Sequence, residues 1–163
     1  KLLKDQRKDI LIAGSGNEDA QTVINRYKGA IRRMESSSFQ IERLKEINLI
    51  SDYLNDKTSE INQEKESIEH KDKVINGRQL TNVGVFRYYA QKYLENDPEI
   101  DKESAIMVRQ LEITTQGLPM EVYCFTNDSN WQRFEEIQAD IFDHLLVASK
   151  EFDLQIMQIG LPK

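Results

Sequence analysis

The chain has 163 residues, of which 39% are hydrophobic and 31% are charged, so one modest core lies beneath a strongly solvated surface. Its formal net charge of −6, from 28 acidic and 22 basic residues, argues against nucleic acid as the main partner, because phosphate binding favours a basic face. The single cysteine, Cys124, excludes an intramolecular disulfide and a cysteine-rich zinc site, and it favours a reducing, cytoplasmic compartment.

Neither a signal peptide nor a membrane span is predicted. Charged residues at positions 5, 7, 8 and 9 interrupt any apolar run near the start. The longest apolar stretches, such as residues 145–148, are far shorter than the roughly 20 residues that a bilayer requires. Because the first residue is Lys1, we expect a processed or trimmed piece of a larger protein, whose membrane spans, if it has any, lie elsewhere.

Residues 1–38 form a poorly assigned N-terminal segment. Residues 9–13 are typical of a short buried strand, Gly14-Ser15-Gly16 of a turn, and residues 19–31 of a helix. A glycine turn between a strand and a helix can bind a dinucleotide, but here the third glycine is missing and acidic residues follow. An ordinary turn and helix start is the favoured interpretation.

Residues 39–72 are predicted to be a helical connector. Its apolar residues recur every seven positions, at Ile47, Leu54, Ile61 and Ile68. In the second half this leaves a narrow apolar seam, which is too thin to bury a helix in a core and suits one packing partner. Either a break near residues 55–59 or one continuous rod is compatible with the pattern.

Residues 73–163 are predicted to be a ferredoxin-like β-α-β-β-α-β domain, so the fold class is α+β. The pattern predicts strands over 73–80, 105–113, 120–126 and 154–158, and helices over 82–94 and 130–150. Thr81 is the predicted N-cap of the first helix, and Ser129 with Gln132 forms a capping-box pattern before the second. Residues 116–119 are predicted to turn the chain between the two central strands.

Few residues suggest chemistry. Asp140 and His144 have the i,i+4 spacing of a metal pair, but an ion pair along the helix explains them without further ligands. Cys124 is predicted to be a buried small hydrophobe, since no histidine lies near it in sequence to activate the thiol. No catalytic, cofactor-binding or metal residues are therefore predicted, and the chain is expected not to be an enzyme. Trp131, Tyr88 and Arg87 are candidate interface residues.

Three blocks of the second half resemble one family, the miniconductance (MscM-type) mechanosensitive channels within the MscS-like family. The first block is residues 76–82 with Gly84, residues 86–87 and Tyr89. The second is residues 108–111 with residues 116–126, and the third is residues 137–146 with residues 151–152. The order and spacing of the blocks agree with the family over residues 73–158. Residues 42–45 and 49–54 match its helical connection more loosely, and residues 1–38 match poorly.

The resemblance implies a homo-oligomeric channel, heptameric in this superfamily, that opens when membrane tension rises in hypoosmotic shock. This chain would be part of its C-terminal vestibule, on the cytoplasmic side of a bacterial inner membrane, with an assembly role and no cofactor. The alternative from a different class is a soluble ferredoxin-like regulatory domain that binds a small ligand. A dehydrogenase built on residues 9–31 is a more distant third.

Overall fold

A computed structural model of the chain describes residues 8–13, 33–34, 38–70, 76–114 and 117–157. Its elements, in chain order, are β1 (Lys8–Ala13), β2 (Arg33–Met34), α1 (Phe39–Lys45), α2 (Ser51–Ser67), β3 (Leu80–Thr81), α3 (Asn82–Asn96), β4 (Met107–Gln110), β5 (Gly117–Tyr123), α4 (Trp131–Ala148) and a short 3-10 turn (Ser149–Phe152). Helices and a small antiparallel sheet are thus mixed along the chain, which confirms the α+β class.

The larger sheet has three antiparallel strands in the order β1-β5-β4. The predicted hairpin is confirmed, with Met107 opposite Tyr123 and Gln110 opposite Met120. Its turn was predicted too late, because Thr114 and Gly117 already exchange backbone hydrogen bonds of 2.9 and 3.2 Å. Pro119, predicted to lie in the turn, is part of β5. The carbonyl of Pro119 accepts from the Leu111 amide at 3.0 Å, although proline has no N–H to donate to the sheet.

β1 lies along the other edge of β5, with Lys8 opposite Val122 and Ala13 opposite Gly117. The sequence predicted this strand but not its partner. All residues of β5 from Gly117 to Val122 are buried, so both faces of the central strand are covered.

The outer strands of the predicted ferredoxin-like order are only partly described. Leu80 closes the predicted first strand as part of β3, which pairs with β2, while residues 71–75 lie outside the described ranges. In the predicted fourth strand Leu154 is buried and Ile156 takes part in a single β-bridge, but residue 158 also lies outside the described ranges. The ferredoxin-like order stays a prediction.

The helical connector is broken where the sequence did not predict it. α1 ends at Lys45 and α2 begins at Ser51, whereas residues 55–59 are continuous helix. Hydrogen bonds from Ile47 N to Leu44 O and from Ile50 N to Ile47 O turn the chain between the two helices. Because the connector is broken, α1 and α2 together bury a wider apolar surface than the narrow seam that the sequence predicted. Its buried side chains are Ile41, Leu44, Ile50, Leu54 and Ile61.

Helices α3 and α4 carry side-chain caps at their first turns. Thr81 Oγ1 accepts from Gly84 N at 3.1 Å, which confirms the predicted cap of α3. The capping box at Ser129 was wrong by one residue. Asn130 is the N-cap of α4, because its Oδ1 accepts from both Gln132 N and Arg133 N.

Candidate functional site

The contact between α3 and α4 is centred on Tyr89 and His144. The hydroxyl of Tyr89 lies 2.6 Å from Nε2 of His144. The ring of Tyr93 stacks on the imidazole, with centroids 4.0 Å apart and planes 7° from parallel. Burial lowers the pKa of His144, which favours the neutral imidazole.

His144 therefore does not have the role that its sequence spacing predicted. An ion pair with Asp140 would favour the charged ring and raise the pKa, which is the opposite of the direction found. Within the described ranges, no group of three or more His, Cys, Asp or Glu side chains is arranged to hold a metal ion. The i,i+4 spacing instead leaves His144 packed on two tyrosines of α3.

Cys124 follows directly after β5 and is half-buried. Burial, with a smaller contribution from Asp97, raises the pKa of its thiol to about 11. The side chain is therefore a neutral thiol at physiological pH and a poor nucleophile, as expected of a small hydrophobe.

Cys124 also lines a small cavity between the sheet and α4. The cavity has a volume of about 40 Å³. Its lining residues are Val122, Cys124, Thr126, Phe134, Gln138, Ile141 and Phe142. Space of this size suits a few water molecules, whereas sites for small organic ligands are typically of roughly 300–1,000 Å³.

An aromatic cluster packs the 3-10 turn (Ser149–Phe152), called the C-terminal turn below, against α3. Phe152, fully buried in the 3-10 turn, meets Phe86 edge-on at 5.3 Å and lies 5.3 Å from the ring of Tyr89. Tyr89 thus contacts both His144 and Phe152. The apolar spacing on α3 predicted its buried face, but nothing in the sequence indicated that Phe152 would complete the cluster.

Helix α1 is anchored to the same turn through its polar face. The Arg43 guanidinium donates to the carbonyl of Glu151 and lies 3.6 Å from the carboxylate of Asp153. The side-chain amide of Gln40 also donates to Asp153. These contacts join positions more than 100 residues apart, so sequence spacing could not have found them.

The three candidate interface residues lie in different surroundings. Arg87 is exposed, and Trp131 at the start of α4 is 66% exposed. Tyr88 is half-buried because the ring of Tyr53 from α2 stacks on it, with centroids 3.7 Å apart. The Lys92 ammonium lies 5.6 Å from the centre of the Tyr88 ring. Tyr88 therefore holds the connector against α3.

An ion pair with a buried carboxylate joins the two strands of the hairpin. Glu121 in β5 is 2% exposed, and its Oε2 lies 2.5 Å from Nε of Arg109 directly opposite in β4. A carboxylate can remain charged in such a place only with a cationic or hydrogen-bonding partner. This pair joins the two strands of the hairpin and is structural in character.

The fold and the site together define a small α+β domain, and the polar side chains described above are used in packing and helix capping. No helix in the described part of the chain has the length and hydrophobicity needed to cross a bilayer. Residues 89–156 match the family described as "Mechanosensitive ion channel MscS, C-terminal". The match supports an MscS-like mechanosensitive channel C-terminal domain over these residues.

Proteins of the matched family share several general properties. MscS-family proteins are oligomeric membrane channels, their C-terminal domain is cytoplasmic, and the family is in general non-enzymatic. The matched residues run from the middle of α3 to the segment after the 3-10 turn, and include Tyr89 and His144.

Proposed function

We propose that this chain forms part of the cytoplasmic vestibule of a channel that opens when membrane tension rises in hypoosmotic shock. The observation that carries the proposal is the match of residues 89–156 to the C-terminal domain of MscS channels. The three sequence blocks described above favour the miniconductance branch, and the parent channel would then lie in a bacterial inner membrane.

The proposed organisation has a helical connector over residues 39–72 and a ferredoxin-like vestibule domain over residues 73–163. The hairpin of β4 and β5, with α3 before it and α4 after it, supplies the four central elements of that order. The connector packs on the domain through Tyr53 and Arg43, so tension-driven movement of the connector would be passed directly to the domain.

The proposed role is assembly without catalysis, in a ring of seven identical subunits. The neutral thiol of Cys124 supports a structural role, and the cavity beside it is smaller than the usual site for an organic ligand. Trp131 and Arg87 are the proposed contacts between subunits, because large, exposed aromatic and arginine side chains are enriched at interfaces.

Patch-clamp recording tests the channel function. The full-length protein is expressed in bacterial cells that lack other mechanosensitive channels, and suction is applied to the membrane patch. We expect conductance that rises with suction and is absent from cells with the empty vector. No tension-dependent conductance, or a parent gene without apolar runs of about 20 residues, would reject the proposal.

The interface is tested by Trp131→Glu, with Phe39→Glu as the matched control, because Phe39 is an aromatic residue that is 85% exposed. We expect the first change to reduce the oligomer of the full-length protein in native mass spectrometry and the second to leave it intact. Equal effects of the two changes would remove Trp131 from the interface. A saturable thermal shift with a metabolite would instead favour the ligand-binding alternative.

A further inference from the structure

The hydrogen bond between Tyr89 and His144 depends on which group carries the proton. A neutral imidazole has one ring nitrogen that accepts, and Nε2 can accept from the Tyr89 hydroxyl only while it has no proton of its own. Burial raises the pKa of Tyr89, so this hydroxyl keeps its proton, and it donates to Nε2 in the neutral tautomer whose proton is on Nδ1. The neutral pair is therefore satisfied at 2.6 Å.

Protonation of His144 disturbs this arrangement. Both ring nitrogens of an imidazolium are donors, so Nε2–H would then donate to the Tyr89 oxygen, and the hydroxyl proton must rotate away and find another acceptor. Tyr89 is only 7% exposed, which leaves its hydroxyl little access to water. A buried donor without an acceptor costs free energy, and the half-buried imidazolium also loses hydration.

The groups around the imidazole do not offset that cost. From α3, His144 meets Tyr89 and Tyr93, which are both neutral at physiological pH. On α4, the exposed carboxylates Asp140 and Asp143 lie one turn before it and directly beside it. From the 3-10 turn, the apolar ring of Phe152 packs on Tyr89. Burial, with a smaller contribution from Asp97, raises the pKa of the Tyr93 hydroxyl. Burial is the cause that lowers the pKa of the imidazole.

We propose that His144 and Tyr89 form an acid-sensitive latch, which holds α3 against α4 while the imidazole is neutral and loosens their packing when the imidazole is protonated. The effect extends beyond the two helices, because the ring of Tyr89 also packs on Phe152 in the turn that anchors α1 through Arg43. Acidification would therefore weaken the attachment of the connector as well.

The direction of the pH dependence follows from proton linkage. The pKa of His144 in the folded chain lies below the ordinary value of 6.5, so the unfolded chain binds more protons as the pH falls. The stabilising contribution is complete above pH 6.5 and is lost progressively as the pH falls from there towards the folded pKa. Each unit by which the pKa is lowered multiplies the unfolding equilibrium constant about tenfold at acidic pH.

The test uses this chain and its two histidines. NMR titration of the imidazole Cε1–H signals gives the pKa of His144 directly, with the signals assigned through a His70→Gln variant. We expect His144 to titrate below a histidine model peptide in the same buffer. The Tyr89→Phe change should move that titration upward, whereas the control Tyr93→Phe, which keeps the stacked ring, should leave it nearly unchanged.

Thermal unfolding between pH 7.5 and 5.5 provides the second measurement. We expect the melting temperature of the natural chain to fall more on acidification than that of His144→Gln, whose amide oxygen accepts from Tyr89 without titrating. Equal falls in the two chains would overturn the latch. So would titration of His144 at or above the model peptide, a result that needs no variant to fold.

Discussion

Phe152 is a buried residue at which contacts from several elements meet. Its side chain is fully buried and touches Phe86 and Tyr89, while the turn that carries it is held by α1. The sequence marked it only as part of a family block, because a lone phenylalanine after a helix has no periodic neighbours that would predict its burial. Its importance arises from the positions of three elements in space.

Phe152→Ala is therefore expected to be strongly destabilising. Removing a fully buried phenylalanine loses its transfer free energy and leaves a cavity, at a cost of about 3–5 kcal/mol. Urea unfolding followed by circular dichroism measures the change. Phe39→Ala is the control, since this side chain is 85% exposed and should change stability by less than ~0.5 kcal/mol. Similar losses for the two variants would contradict the proposed packing.

For His144, the sequence predicted the position on a helix correctly but not the partners of its imidazole. Its helical position was predicted, and with it the nearness of Asp140 on the same helix. The partners that decide its chemistry are Tyr89 and Tyr93, which come from another helix. Periodicity describes one helix at a time, so it could not place an acceptor nitrogen beside a hydroxyl 55 positions away.

At the scale of the elements, helix starts were predicted more reliably than strand partners. Thr81 caps α3 as expected, because a cap depends on residues only three positions apart. The start of α4 shifted from Ser129 to Asn130, since both residues are good caps and Asp128 Oδ1 accepts from Asn130 N at 2.7 Å. That contact positions Asn130 to accept from the next turn.

Thr81→Ala is expected to destabilise the chain by about 1 kcal/mol, because it removes the acceptor for the amide of Gly84. Chemical unfolding of the variant beside Thr81→Ser, which keeps the hydroxyl, measures the contribution of the cap. If serine and alanine cost the same, the hydroxyl is not the stabilising group and the role of Thr81 lies in β3 instead.

The connector illustrates the limit of periodicity at this scale. A repeat every seven residues is compatible with a straight helix, and the sequence offered no glycine or proline at residues 46–50 to predict the break. The break nevertheless places Ile50 and Leu54 in the core at 0% exposure. The gain from burying these side chains outweighs the loss of a few helical hydrogen bonds.

At the scale of the whole molecule, two groups of ionisable side chains make stability depend on pH in separate ranges. The His144 contribution declines below pH 6.5, as argued above. Glu95 behaves oppositely, since hydrogen bonds from Lys92 and Gln91 lower the pKa of its carboxyl below 4.5. Its stabilising contribution is present above pH 4.5 and is lost as the pH falls through the folded pKa.

We therefore expect a second decline in stability below pH 4.5, which Glu95→Gln should reduce without changing the decline below pH 6.5. Unfolding midpoints measured at close pH intervals from 3 to 8 would separate the two ranges. The effect of Glu95 should be small, since the carboxylate is partly exposed and the solvent screens its partners. A Glu95→Gln profile that differs from the natural chain only above pH 5 would contradict this assignment.

The sequence by itself determined the local features: the helical segments, the cap at Thr81 and the β4–β5 hairpin. These features depend on hydrogen bonds and apolar spacing within a few residues. Only the tertiary structure decided that β1 pairs with β5, that α1 is attached to the C-terminal turn and that His144 meets Tyr89. Such contacts join residues far apart in the chain, and their free energy appears only when the surrounding elements are packed together.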